Sequence, residues 1–233
     1  MSVTDRAALA ALTAELVECR RCPRLVGWRE QVAREKVARF RDETYWARPV
    51  PGFGDPDARI LLLGLAPAAH GGNRTGRVFT GDASGDFLFA ALHAVGLADQ
   101  PVSRRTDDGL TLFDTYIAAA VRCAPPANKP TIEERDACAP WLALELALLA
   151  RVRVIVALGS YAWDAGLRVL AGHGHVARPK PRFGHGNEAT VGPYRLLGTY
   201  HPSQQNTFTG VLTPPMLETV LRRAAALADE LRA

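Results

Sequence analysis

Four cysteines are the residues whose types and spacing point most directly to chemistry. They are arranged as Cys-x2-Cys, a gap of 100 residues and then Cys-x14-Cys, at Cys19, Cys22, Cys123 and Cys138. Disulfides are rare in a reducing cytoplasm, whereas four thiolates can close a tetrahedral zinc site or hold an iron–sulfur cluster. Ordinary zinc fingers keep their ligand pairs close in sequence. The long gap therefore predicts a metal site that staples a domain which already folds.

The flanks of the cysteines support the metal-site interpretation. Cys22 is followed by Pro23, and Cys123 is followed by Ala-Pro-Pro, which is typical of rigid loops. Nearby arginines would offset the negative charge of four thiolates, namely Arg20, Arg21, Arg24 and Arg122. The alternative is that Cys123 and Cys138 are unrelated buried thiols and that the first pair occurs by chance.

A second group of candidate residues lies in a glycine-rich stretch, residues 66–85, which reads APAAHGGNRTGRVFTGDASG. Its five glycines let the backbone approach a ligand closely, and free N–H groups at a helix start could bind an anion. The stretch matches neither G-x-G-x-x-G nor a Walker motif, which disfavours a nucleotide-hydrolysing P-loop. Taken alone, Asp82 is typical of a helix cap, and Phe79 is typical of core packing.

His201 is the third candidate, because it lies between an apolar segment and Pro202. A lone histidine is more often structural than functional. A carboxylate, an aromatic ring and a histidine that converge at neighbouring strand ends could nevertheless hold a flat polar ring. The aromatic ring would stack on it, the histidine would form a hydrogen bond, and the carboxylate would handle water or developing positive charge.

Apolar strands that alternate with amphipathic helices must position these residues. We predict strands over residues 58–65, 116–121, 152–158 and 194–200. We predict helices over 5–18, 24–39, 82–96, 131–149, 160–171 and 214–231, with a capping box at Thr131 and Glu134 and a long loop over 41–57. This order predicts an α/β fold with a parallel sheet between helices, in which function gathers at the carboxyl ends of the strands.

The composition is that of an ordinary globular chain. The 233 residues are 48% hydrophobic and 22% charged, which excludes a disordered or fibrous chain. The formal net charge is +4, and only three of the 28 basic residues are lysines; arginine suits bidentate phosphate contacts. No apolar run approaches about 18 residues, and Asp5 and Glu15 interrupt the region of a signal peptide. We expect one soluble, cytoplasmic domain over residues 1–233.

Three features together resemble the uracil-DNA glycosylase superfamily, and specifically its family 5, the broad-specificity iron–sulfur branch. They are the stretch from Gly64 to Asp82, the segment Tyr-His-Pro-Ser-Gln-Gln-Asn over 200–206, and the four cysteines at this spacing. The resemblance implies a three-layer α/β/α sandwich with a four-stranded parallel sheet. It also implies a structural 4Fe–4S cluster on the four cysteines, which anchors the N-terminal helices, and monofunctional removal of damaged bases from DNA.

The resemblance also assigns roles to individual residues. Phe79 is expected to stack on the extruded base, and His201 to donate a hydrogen bond to a carbonyl oxygen of the leaving base. Asp82 is expected to stabilise the sugar cation or to orient the attacking water. The expected base-contacting residues are Gly64, Ala66, Ala68 and Asn128. The expected DNA contacts are Arg74, Arg77, Lys129, Gln205 and Asn206, with Gln204 facing the DNA beside them.

Two positions depart from the related family 4 and imply a broader specificity. Leu65 replaces a glutamate of the first motif, and Ala119 replaces an asparagine that reads the edge of uracil. Loss of a fixed donor and acceptor weakens the rejection of other bases, so hypoxanthine, xanthine and modified cytosine are expected substrates besides uracil. We expect a nucleoid-associated monomer that acts on DNA containing deaminated bases. The alternative is a metal-stapled nucleic-acid-binding module without catalysis.

Overall fold

One mixed β-sheet organises residues 3–231, which are the residues that the computed structural model describes. Its strands are β1 (Phe53–Gly54), β2 (Ile60–Gly64), β3 (Thr115–Ala119), β4 (Val154–Leu158), β5 (Glu188–Val191) and β6 (Tyr194–Thr199). Their order across the sheet is β1-β3-β2-β4-β6-β5.

Helices surround this sheet in the described part of the chain. They are α1 (Val3–Val17), α2 (Pro23–Glu35), α3 (Gly72–Thr75), α4 (Ala83–Ala94), α5 (Ile132–Leu148), α6 (Ser160–Gly172), α7 (Gln204–Phe208) and α8 (Pro214–Glu230). Two short 3-10 helices cover Ala38–Phe40 and Pro126–Asn128. None of the helices described here has the length and apolarity that crossing a membrane requires.

The four central strands, β3, β2, β4 and β6, are parallel, as the sequence predicts. β2, β3 and β4 are buried at every position, which explains their continuous apolar runs. The sequence does not predict the two edge strands, β1 and β5, which pair antiparallel with β3 and β6. β1 has only two residues inside the predicted loop over 41–57, and β5 carries exposed Glu188 and Thr190. Neither strand therefore shows an apolar pattern.

Helices cover both faces of the sheet, which confirms the three-layer α/β/α sandwich. On one face, Leu62 of β2 packs with Leu88 of α4 and Leu221 of α8. On the other face, Leu61 of β2 packs with Leu146 of α5 in a core that also contains α6. Because side chains alternate along a strand, one strand supplies both cores. Each fully buried aliphatic side chain contributes about 1.5–3 kcal/mol to stability.

Local capping signals set several helix boundaries. Before α5, Thr131 accepts a hydrogen bond from the Glu134 N–H over 3.2 Å, and the Glu134 side chain accepts one from the Thr131 N–H over 2.8 Å. The predicted capping box is therefore confirmed. α2 ends at Glu35, earlier than the predicted 39, because Lys36 adopts a φ of 51° that a helix cannot continue. The short helices α3 and α7 were not expected from the sequence.

Candidate active site

The candidate site lies where β2 and β6 end. Both strands are parallel neighbours of β4, so their carboxyl ends lie at the same edge of the sheet. After β2 the chain passes through α3 and returns to Asp82, the N-cap of α4. We call residues 65–82 the site loop. After β6 the chain runs through His201 into α7. The predicted catalytic residues therefore come from two loops at one edge.

The structure brings the rings of Phe79 and His201 together. Their centroids are 5.9 Å apart with an interplanar angle of 37°. Gly64 lies beneath Phe79, because a Cβ at this position would stand 2.9 Å from the phenyl ring. Gly159, at the end of β4, makes room in the same way for the Cβ of His201, which would lie 3.3 Å from an added Cβ. Glycine at these two positions permits the close approach of both rings.

Asp82 is both the cap of α4 and part of the site loop. Its Oδ1 accepts a hydrogen bond from the Gly85 N–H over 2.9 Å, and its Oδ2 lies so close to Gly71 that an added Cβ would overlap it. Burial raises the pKa of the Asp82 carboxyl, while the Gly85 N–H acts in the opposite direction. Three residues earlier, Phe79 has a φ of 53°, a strained conformation for an aromatic residue that is typical of functional sites.

The imidazole of His201 is neutral at physiological pH. Burial lowers the pKa of His201 to about 4, since the charged ring would lose its hydration there. No group within residues 3–231 forms a hydrogen bond with its ring nitrogens. The Asn206 side chain instead donates to the backbone oxygen of His201 over 2.9 Å, which fixes the turn that carries the ring. The ring nitrogens thus remain available to a ligand.

The other predicted base-contacting residues differ in their burial and in their partners. Ala66 is half-buried and packs with Tyr161 against the cysteine-containing core. The backbone oxygen of Ala68 accepts the N–H of Asn73 over 3.0 Å and so shapes the site loop. Asn128 is exposed on the turn after β3, with a φ of 56°. No hydrogen bond or ring contact in the described chain joins Asn128 to Phe79.

Arg74 and Arg77 are buried, which corrects the prediction that they contact DNA phosphates. Arg74 pairs with Glu43 and donates to the backbone oxygen of Gly81 over 3.0 Å. Arg77 pairs with Asp108 over 2.6 Å. Burial alone would raise the pKa of Asp108, but hydrogen bonds from Arg77 and backbone N–H groups lower it to about 2. These internal partners occupy the guanidinium donors, so both arginines hold the site loop in place.

The remaining predicted DNA contacts differ in accessibility. Lys129 is exposed on the turn after β3, and Gln204 and Gln205 are exposed on α7 at the same edge of the sheet. Asn206 is half-buried and its amide is engaged with the turn at His201. Phe208, also on α7, is the large apolar side chain with the highest exposed fraction in the described chain, 79%. The edge around His201 therefore presents amide groups and one open aromatic ring.

All four cysteines line one pocket between α1, α2, α5 and the end of β3. Leu16, Leu25, Val26 and Trp141 supply its apolar walls. Cys123 accepts a hydrogen bond from the Arg29 guanidinium over 2.9 Å, and Cys138 accepts one from the Arg122 N–H over 3.3 Å. The spacing in sequence predicts that the two cysteine pairs meet, and the structure places all four cysteines around one pocket.

The arrangement of the cysteines bears on which metal group would fit. Within residues 3–231, no three His, Cys, Asp or Glu side chains are gathered as a single metal ion requires. A zinc ion needs all four thiolates at about 2.3 Å, whereas a polynuclear cluster spreads them over its own width. Burial raises the pKa of Cys123 to about 11 and of Cys138 to about 12, so thiolates there need positive neighbours. Four cysteines around one pocket are a donor set that suits either an iron–sulfur cluster or a zinc ion.

Comparison with known proteins gives the family. The family described as the uracil DNA glycosylase superfamily matches residues 51–225, which contain the site loop, the His201 turn and two of the four cysteines. The chain belongs to the uracil-DNA glycosylase superfamily. The match spans the complete sheet edge at which Phe79, Asp82 and His201 lie.

Relatives place the chain in the type-5 branch of this uracil-DNA glycosylase superfamily. A Type-5 uracil-DNA glycosylase of Thermus thermophilus is 56% identical over 219 residues, 94% of this chain and 97% of the relative. The protein of the same name from Mycobacterium tuberculosis is 55% identical over 222 residues, 94% of this chain and 82% of the relative. A Type-4 uracil-DNA glycosylase of Pyrobaculum aerophilum is only 30% identical over 185 residues, 78% of this chain and 83% of the relative.

The sequence does not predict two supports of the candidate site. Arg29 lies on the buried face of α2 with Leu25 and Val32, and an arginine within such an apolar stripe is the signal that could have revealed it. Asn73 of the site loop donates to the backbone oxygen of Arg29 over 3.2 Å. This bond joins the helix beside the cysteines to the loop that ends in Asp82.

The second support that the sequence does not predict is a pair of buried Tyr45 and half-buried His70. The Tyr45 hydroxyl and His70 Nδ1 are 3.0 Å apart. Burial lowers the pKa of His70, and the nearby charges of Arg39 and Arg74 act in the same direction. Tyr45 lies in the loop over 41–57, which has no periodicity from which a contact with the site loop could be predicted.

Proposed function

We propose that this chain is a DNA glycosylase that hydrolyses the N-glycosidic bond of uracil in DNA and leaves an abasic site. The observation that carries the proposal is the contact between the rings of Phe79 and His201, whose centroids are 5.9 Å apart. Phe79 lies on the site loop, which ends in Asp82, and His201 lies on the loop after β6. Relatives that are 55% and 56% identical and named Type-5 uracil-DNA glycosylase support the same reaction.

The half-buried rings suit a base that has left the duplex. A base inside the helix cannot reach such a site, so the nucleotide must rotate out at a cost of roughly a few kcal/mol. The phenyl ring of Phe79 offers a flat apolar face for stacking. His201 then faces the edge of the base, and its neutral ring can donate one N–H to a carbonyl oxygen. That hydrogen bond strengthens as the departing base takes the electron pair of the C–N bond.

Asp82 acts on the sugar side of the same bond. As the bond lengthens, the sugar gains positive charge, which a nearby carboxylate stabilises. A carboxylate oxygen can also accept a hydrogen bond from the water that adds to C1′, and the departing base takes up the proton that balances the hydrolysis. The contact with the Gly85 N–H holds Asp82 by Oδ1 and leaves Oδ2 beside Gly71.

We extend the proposal to hypoxanthine, xanthine and modified cytosine. Ala119 ends β3 as a buried methyl group, and the backbone oxygen of Leu65 is taken by the Val121 N–H over 2.9 Å. Neither side chain supplies a donor or acceptor that would reject a base with different edge groups. The carboxyl end of β3 therefore selects bases by shape more than by hydrogen bonding.

We further propose that the four cysteines hold a 4Fe–4S cluster. We also propose that the chain is a single-domain monomer in the cytoplasm, where it is associated with the nucleoid. The cluster would supply structural cross-linking of α1 and α2 to the loop that carries Cys123 and Cys138. Arg29 and the Arg122 N–H already face two of these sulfur atoms, and such donors are typical of thiolates bound to iron. A brown protein that absorbs near about 400 nm would support the cluster, and a colourless, zinc-containing protein would contradict it.

The proposed activity is tested by base release from duplexes that contain one uracil or one hypoxanthine. Cluster-loaded wild-type protein should produce abasic sites, and Asp82→Ala should lower the single-turnover rate roughly a hundredfold or more without loss of DNA affinity. Asp107→Ala, an exposed carboxylate in a surface pair with Arg105, is the matched control and should act like wild type. Binding of damaged DNA without abasic sites would instead identify a non-catalytic binding module.

A further inference from the structure

A segment that the proposed reaction does not use is strongly basic and adjoins the site. Residues 173–187, between α6 and β5, read HGHVARPKPRFGHGN and contain three basic residues, three histidines and no carboxylate. We call this segment the basic loop. Most of its residues are exposed. A run of this composition is suited to a polyanionic partner.

The sheet register brings the second half of the basic loop to the same edge as His201. β5 is antiparallel to β6, and its first residue, Glu188, lies opposite Leu197, near the carboxyl end of β6. The basic loop must therefore end at that edge. The indole Nε1 of Trp163, in the first turn of α6, donates to the backbone oxygen of Pro181 over 3.1 Å. This hydrogen bond fixes the loop beside the strand that leads into His201.

A row of aromatic rings anchors the loop and ends at the surface. Trp163 packs edge-on against Phe183, with centroids 6.1 Å apart, and Phe183 lies 6.4 Å from Tyr200. Tyr200 in turn stacks on His185 at 5.1 Å and 25°. The Nδ1 of His185 is 3.2 Å from the Thr199 hydroxyl, which orients the imidazole. Tyr200 remains 36% exposed, directly before the catalytic histidine.

Two arginines of the loop are free to bind an anion. Arg178 and Arg182 are exposed, and neither forms an ion pair within residues 3–231. Lys180, between them, pairs with Asp164 over 2.7 Å, so the loop's free charge lies on the guanidinium groups. Arginine binds phosphate through two parallel N–H donors. Arg178 and Arg182 are therefore the candidate phosphate contacts instead of Arg74 and Arg77, whose guanidinium groups donate to partners inside the protein.

We propose that the basic loop and Tyr200 form the surface that binds the DNA strand beside the excision site. Arg178 and Arg182 contact backbone phosphates, and the Tyr200 ring, held by His185, stacks on a base or sugar next to the extruded nucleotide. The phosphate contacts carry no sequence information, which suits an enzyme that must bind DNA wherever damage occurs. The inference rests on DNA as the partner in the proposed function, but it requires only binding.

The experiment measures the affinity for an undamaged duplex by fluorescence anisotropy at several salt concentrations. Arg178→Gln/Arg182→Gln should weaken binding at low salt and reduce the slope of log affinity against log salt by about 2, since each lost phosphate contact removes about 1. Arg151→Gln/Arg222→Gln is the control, because it removes the same charge from an exposed residue before β4 and from α8. Its slope should equal that of wild type.

Stacking is tested separately with Tyr200. Tyr200→Ala should weaken binding to a duplex that contains one abasic site roughly tenfold, whereas Tyr200→Phe, which keeps the ring, should bind this duplex like wild type. Circular dichroism of each variant checks that the fold is retained. An unchanged slope in the loop variant, or an equal change in the control, would overturn the proposal. If wild type binds with a slope that the loop variant reduces but releases no base, the surface stands and the proposed reaction fails. If wild type releases base while the loop variant keeps the wild-type slope, the proposed reaction stands and the proposed surface fails.

Discussion

The Nη1 of Arg29 donates a hydrogen bond to the Sγ of Cys123 over 2.9 Å, and no carboxylate pairs with this arginine within residues 3–231. The Arg29 side chain is only 2% exposed. A buried guanidinium without a counter-charge costs several kcal/mol, so the anionic partner that the site offers is a thiolate. Arg29 thus balances charge at the proposed cluster, while its backbone oxygen binds Asn73 of the site loop.

Arg29→Met should therefore lower the iron bound per chain and the absorbance near about 400 nm, because the thiolate loses its nearest positive neighbour. Arg29→Lys keeps the charge and should retain more iron than Arg29→Met. Arg34→Met, an exposed residue in the last turn of α2, is the control. Equal iron content in Arg29→Met and Arg34→Met would show that Arg29 has no role at the cysteines.

Gly71→Ala should lower turnover by displacing the carboxylate of Asp82, the proposed catalytic group. An added Cβ would overlap Oδ2 of Asp82, and the carboxylate is the part that can move. Small displacements of a catalytic group cost about a hundredfold in rate, so the single-turnover rate should fall while DNA affinity persists. Gly172→Ala is the matched control, since nothing lies within 4 Å of its added Cβ. A wild-type rate in Gly71→Ala would contradict the role of Asp82.

His201 makes stability depend on pH. Burial lowers its pKa in the folded state to about 4, against about 6.5 in the unfolded chain. The unfolded state therefore binds more protons between these values, and the contribution of His201 is complete above about pH 6.5 and lost as the pH falls toward 4. From pH 7.5 to pH 5 this loss amounts to about 2 kcal/mol.

The measurement is the free energy of unfolding in urea at both pH values for wild type and His201→Gln. The variant should lose about 2 kcal/mol less than wild type on acidification. The comparison is needed because burial also lowers the pKa of His70 and of His185. His173→Gln serves as the control, and a pH dependence equal in His201→Gln and wild type would refute the burial argument.

The buried ion pair between Arg122 and Glu145 should dominate the stability of the region behind the cysteines. Both side chains are almost fully buried, and Glu145 also accepts the Tyr116 hydroxyl over 3.1 Å. Glu145→Gln leaves the Arg122 charge without its partner and should lower the free energy of unfolding by about 3–5 kcal/mol. Glu18→Gln breaks an exposed pair with Arg48 and should cost less than about 1 kcal/mol. Similar losses in urea unfolding would argue against the buried pair.

The sequence predicts what depends on local pattern and misses what depends on distant partners. The central strands are continuous apolar runs, and the capping box at Thr131 involves only four consecutive residues, so both can be predicted from the sequence. Arg74 and Arg77 look like surface cations in the sequence. The carboxylates that pair with these buried arginines lie 31 residues away in each case, so no local pattern reveals the pairing. The contact of Phe79 with His201 follows only when both strand ends are placed at one edge.

The edges of the sheet decide how this protein can meet other chains. One edge is closed by a strand of two residues, Phe53–Gly54, and the other by four residues that include an exposed Glu188. Such short edge strands present few unpaired N–H and C=O groups to which a strand of another chain could bind. Addition of a strand at an open edge is the usual route from a sheet to aggregation. Many copies of a protein with such short edge strands can bind close together on DNA without associating through their sheets.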